Sequence, residues 1–112
     1  MHLAPLSEFD YHDTLARTSG ASLVLFGSPG CGACRKVETL LPTAAGNSVA
    51  ALFKVDVQQA TALARQYELF LLPALFLYRD GYFHAELHCE VTPVALRQAI
   101  SAALAKPAQE EP

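Results

Sequence analysis

The chain has 112 residues, 52% of them hydrophobic, and a formal net charge of −3. This is enough to fill one packed core and leaves little for a second independent domain. Eight lysines and arginines spread along the chain make no concentrated positive field, and no apolar run approaches the roughly 20 residues that span a bilayer, so neither nucleic acid nor a membrane is an expected partner.

The first ten residues lack a basic stretch followed by an apolar core, so no signal peptide is expected. An edge strand is expected near His2 to Ala4. Leu6 to Thr18 reads as a helix, opened by Ser7 with Asp10 three residues on in a near capping box and closed by Gly20. Ser22 to Phe26 is a short continuous apolar run, the pattern of a strand buried on both faces. A loop follows over residues 27–32. From Cys34 onward Val37, Leu40 and Leu41 fall at helical spacing, in a helix that Pro42 is expected to kink or stop. Ala51 to Val57 alternates as a second strand, and Gln59 to Tyr67 reads as a third helix. Ala74 to Tyr78 and Tyr82 to His88 are joined by Asp80 and Gly81, a strong signal for a hairpin of antiparallel neighbours. Thr92 and Pro93 supply an N-cap and a first helical position for a last helix bearing Leu96, Ile100 and Leu104. The division expected is a domain over residues 1–105 and a flexible, frayed tail over 106–112. Strands alternating with helices and ending in a hairpin imply an α/β fold: a central mixed sheet of four to five strands with helices on both faces.

Three cysteines are too few for a disulfide framework, which leaves redox chemistry or metal binding as the reason for Cys31 and Cys34. At positions i and i+3 in a helix's first turn, the two sulfurs share a face and can close a bond reversibly. Cys31, at the helix start, faces backbone N–H groups and the positive end of the helix dipole, which favour thiolate and make it the attacking sulfur. Cys34, one turn deeper, is placed to attack the resulting mixed disulfide and release the partner. A structural zinc is the rival reading, but it needs four ligands. No second Cys-x-x-Cys is present, and His88 and Cys89 are adjacent on an expected strand and point to opposite faces. Context therefore favours redox chemistry. His2, His12, His84 and His88 read as surface residues, whereas Phe76, Tyr78, Tyr82 and Phe83 read as core and cross-strand packing.

Over about Ser22 to Leu104 the chain resembles the thioredoxin family. The matching residues are the Ser22 to Phe26 run, Cys31-Gly32-Ala33-Cys34 followed by Arg35 and Lys36, Phe53 to Asp56, Tyr67 leading to Leu72 and Pro73, and Asp80 with Gly81. The resemblance implies a thioredoxin-like fold and a thiol–disulfide oxidoreductase reducing protein disulfides, with no bound cofactor. It implies a cis peptide at Pro73, opposite the cysteine pair, and a substrate groove formed by Gly30, Gly32, Ala33, Leu72, Pro73 and Cys89. Cys89 stands where the family usually has glycine, and reads as a packed or bystander thiol ahead of a third redox sulfur or a site of glutathionylation.

Three departures from the family stand out. The motif lacks the usual preceding Trp and the Pro between the cysteines, for which Gly30 and Ala33 stand here. The buried Asp that assists deprotonation of the second cysteine is replaced by Leu25, so resolution by Cys34 is expected to be slower than in a typical thioredoxin. Lys54 matches the lysine that pairs with that Asp, and is expected to reach solvent or another acid, since an unpaired buried charge is costly. The partners expected are protein disulfides and an upstream reductase, for a cytoplasmic monomer. A non-catalytic peptide-binding adaptor or chaperone is the alternative, a metal-binding protein a third, and a glutaredoxin-like reading is weaker because features for glutathione capture are not evident.

Overall fold

A computed structural model describes residues 2–112, and its central layer is a five-stranded mixed sheet in the order β1-β3-β2-β4-β5. The strands are β1 (Ala4–Pro5), β2 (Ala21–Gly27), β3 (Ala51–Asp56), β4 (Ala74–Arg79) and β5 (Tyr82–Leu87). The helices are α1 (Tyr11–Ala16), α2 (Gly32–Ala45), α3 (Thr61–Gln66) and α4 (Pro93–Leu104). β1, β3 and β2 run parallel, while β4 is antiparallel to β2 and β5 to β4. The expected α/β architecture and its hairpin are therefore present.

Alternation along β2 divides the core in two. Leu23 and Leu25 pack on one face with Val37 and Leu41 of α2 and Leu96 and Ile100 of α4. Val24 and Phe26 pack on the other with Tyr11 and Leu15 of α1, Leu63 of α3 and Tyr67. The second core is aromatic: Tyr11, Phe26, Tyr67, Phe76, Tyr78 and Phe83 meet at tilted or edge-on angles, and the Tyr11 and Tyr78 hydroxyls share a 2.6 Å hydrogen bond.

Several boundaries differ from the expectation. α1 begins at Tyr11 rather than Leu6; Ser7 and Asp10 make the reciprocal bonds expected of a capping box, but about a turn over residues 8–10 that precedes the helix. Pro42 does not stop α2, which runs on to Ala45. One lost backbone bond, to the Glu38 carbonyl, is outweighed by the burial of Leu41, Ala44 and Ala45. The edge strand lies at Ala4–Pro5, one or two residues beyond its expected place.

His84 is buried and not on the surface. β5 slips register between Leu77–Ala85 and Tyr78–Phe83, so His84 is the extra residue of a bulge, and its Nε2 meets the Ala103 carbonyl at 2.8 Å. Tyr82, expected to pack, is 79% exposed at the start of β5. The Asp80–Gly81 turn has φ of 53° and 84°, the paired positive angles of a type I′ hairpin. Thr92 Oγ1 accepts from the Ala95 N–H at 3.1 Å, capping α4 as its sequence signals.

Residues 106–112 form no helix or strand. They run beside β5, where the Gln109 N–H donates to the His84 carbonyl and the Glu86 N–H to Gln109 Oε1, and on to Tyr67, whose hydroxyl donates to Glu111 Oε2. Among the described residues no helix is long and apolar enough to cross a membrane.

Candidate active site

Cys31 and Cys34 are joined by a disulfide, their Cα atoms 5.2 Å apart. β2 delivers the chain to this point and α2 begins on it. Cys31 is the N-cap of α2, extended at φ −92°, and its sulfur accepts the Cys34 N–H at 3.1 Å. A sulfur occupying the acceptor position of an N-cap satisfies one of the free donors of the first turn, and it is best matched to them when it carries negative charge. The loop ahead of it is pinned: Arg35 donates to the Pro29 carbonyl at 2.8 Å, and the Cys31 N–H donates to the Ser28 carbonyl at 3.1 Å.

Cys34 is 5% exposed and lies against the end of β2. A Cβ on Gly27 would stand 2.9 Å from Cys34 Cβ and 3.0 Å from its sulfur, so glycine at that position is what lets α2 start this close to the sheet. Behind Cys34 opens a cleft of about 670 Å³, lined among others by Leu25, Val55, Arg35, Glu38, Lys54 and Asp56. Lys54, in register with Leu25, finds the acid expected of it: its Nζ is 3.0 Å from Glu38 Oε2. Gly27 and Glu38 are the two residues of this site that sequence reading passed over. The signal for Glu38 was its position one turn after Cys34.

The antiparallel pairing of Phe26 with Ala74 sets the start of β4 beside the end of β2, and the Leu72–Pro73 bond just ahead of it is cis. Pro73 and Cys89 share a second, smaller cleft of about 230 Å³ with Val37 and Leu87. Cys89 is exposed and unbonded, and partial desolvation of its sulfur pushes its thiol up. Phe70 and Leu71, just before the cis bond, are exposed. Gly30, Gly32 and Ala33 flank the sulfurs in sequence, with open space around Gly30. Among the described residues no three His, Cys, Asp or Glu side chains gather in a way that could hold a metal ion.

Comparison with known proteins agrees with this geometry. The chain is 29% identical over 83 residues to a thioredoxin of Staphylococcus epidermidis, covering 72% of this chain and 78% of that protein. A variant thioredoxin from Halobacterium salinarum NRC-1 superposes with a TM-score of 0.76 at 26% identity, over 91% of this chain and 90% of the other. Mitochondrial thioredoxin 3 from Saccharomyces cerevisiae, in its oxidised form, shares the fold with a TM-score of 0.75 at 19% identity, over 89% and 94%. The thioredoxin family model matches residues 2–102, and with a bonded cysteine pair at the head of α2 the chain belongs to the thioredoxin family, as a thiol–disulfide oxidoreductase.

Proposed function

We propose that the protein reduces disulfides in other proteins in the cytoplasm, acting as a monomer regenerated by an upstream reductase. The observation that carries this reading is the Cys31 sulfur at the N-cap of α2, bonded by the Cys34 N–H with Cys34 buried behind it. In the reduced protein, the Cys31 thiolate attacks one sulfur of a substrate disulfide. A Cys31–substrate bond forms, the substrate's own S–S bond breaks, and one substrate sulfur leaves as a thiolate and takes up a proton. Cys34, deprotonated, then attacks the Cys31 sulfur, restoring the Cys31–Cys34 bond and releasing the second substrate thiolate. Two electrons have moved to the substrate, and its two thiolates take up the proton lost by Cys34 and one from solvent.

The substrate chain lies across Gly30, Gly32 and Ala33 and pairs its backbone with Leu72 ahead of Pro73, with Cys89 at the groove's far border. The absence of a side chain at Gly30 and Gly32 leaves the attacking sulfur accessible to a folded partner.

Insulin reduction by wild type and by Cys31→Ser tests this reading. Wild type should precipitate the insulin B chain with dithiothreitol or a reductase system as electron source, and Cys31→Ser should fall to the uncatalysed rate. Equal rates in the two would instead favour a peptide-binding adaptor.

A further inference from the structure

Resolution of the mixed disulfide requires Cys34 to lose a proton, and Cys34 is buried. Burial disfavours a thiolate, so the proton needs a base close at hand. The ionisable groups facing the cleft behind Cys34 are Glu8 from the segment before α1, Arg35 and Glu38 from α2, and Lys54 and Asp56 from β3. β2 contributes none there, since its lining residues are Leu25 and Gly27. Arg35 and Lys54 are cations. Asp56 lies at the end of β3 and its Oδ1 accepts the Gln58 N–H at 2.9 Å. Glu38 stands apart from Glu8 and Asp56 because it shares a helix with Cys34, four residues on, and helical side chains lean back toward the N-terminus over the preceding turn. Lys54 grips Glu38 Oε2 at 3.0 Å, fixing the carboxylate at the mouth of the cleft with Oε1 left to accept.

We infer that Glu38 is the proton acceptor for Cys34 in the resolving step, which rests on the oxidoreductase reading above. The Cys34 S–H proton passes to the Glu38 carboxylate across a cleft wide enough for water. The Cys34 electron pair forms the bond to the Cys31 sulfur, and the bond between Cys31 and the substrate sulfur breaks, its electrons leaving on the substrate thiolate. Glu38 then returns its proton to solvent. Because the Glu38 side chain is 42% exposed, solvent bases compete, and the gain is placed at about tenfold, below the 100- to 10,000-fold of a sequestered base.

The test is stopped-flow release of the second aromatic thiolate after the reduced protein reacts with a chromogenic aromatic disulfide. Glu38→Gln should slow that release about tenfold at pH 7, with the gap closing toward pH 10 as Cys34 ionises unaided. Lys54→Met breaks the same ion pair but keeps the carboxylate, and should retain at least about half the wild-type rate. From about pH 5 to 8 the wild-type rate should depend on pH less steeply than that of Glu38→Gln. Wild-type speed in Glu38→Gln, equal slowing in both variants, a gap constant with pH, or a wild-type rate rising tenfold per pH unit across that range would each overturn the assignment. Wild type releasing no second thiolate at any pH would remove the oxidoreductase reading along with it, whereas normal release with an unaffected Glu38→Gln removes the assignment alone.

Discussion

Gly27 carries no side chain where β2 meets the redox helix, and a methyl group there would strike both the Cβ and the sulfur of Cys34. Neither can swing aside, since Cys34 is bonded to Cys31 and seated in the first turn of α2. Gly27→Ala should therefore cost about 1–3 kcal/mol in denaturant unfolding of the oxidised protein, with a shift in the equilibrium of the Cys31–Cys34 couple against glutathione. The buried tyrosines make a second prediction at this scale. Burial pushes the phenols of Tyr11 and Tyr78 far above their ordinary value of 10.0. Above that pH the unfolded phenols ionise while the folded ones stay neutral, so the unfolded chain binds fewer protons. Stability that is complete below pH 10 should fall as pH rises beyond it, by about 1.4 kcal/mol per pH unit for each tyrosine, as read by urea midpoints at pH 9 to 11.5. Tyr78→Phe should flatten that slope and, by stranding the Tyr11 hydroxyl, lower stability at pH 7 by about 1–2 kcal/mol.

Among the elements, the β4–β5 hairpin is held as much by what lies beneath it as by its own ladder. A Cβ on Gly81 would come 2.8 Å from the Leu15 carbonyl and 2.9 Å from Ala16 Cα, at a φ of +84°. Gly81→Ala should cost about 2–4 kcal/mol, joining left-handed strain to a backbone collision with the end of α1. The hairpin was legible from Asp80 and Gly81, as were the β2 run, the cap at Thr92 and the cysteine pair, because each is written in a few adjacent residues. Elements decided by distant partners were less so. Continuation of α2 past Pro42 depends on burial against the sheet, and the inward turn of His84 depends on a bulge that alternation alone does not announce. At the site, both sulfurs and the cis bond at Pro73 were readable, the latter through family resemblance. The pairing of Lys54 with Glu38 was only half readable, since it joins a strand to a helix 16 residues away and no local pattern links the two.

For the molecule as a whole, the last seven residues are the segment whose removal is most informative. Their hydrogen bonds go to Ala103, His84, Glu86 and Tyr67, and among the described residues none goes to the redox pair or the loop that precedes it. A chain ending at Ala105 should fold, reduce insulin at the rate of the full chain and lose about 1–2 kcal/mol of stability. Loss of folding would place the domain boundary beyond residue 105, and loss of activity alone would tie the tail to the substrate groove.

The two margins of the sheet differ from its centre in one further respect. β1 is two residues long and ends in Pro5, which has no N–H to offer, while the tail takes up backbone groups of β5 on the opposite side. Neither border presents a long ladder of free donors and acceptors onto which an extended segment of another molecule can add. A protein whose work is to engage other chains while their disulfides are open thus meets them at its sulfurs without offering its flanks as a template for cross-β growth.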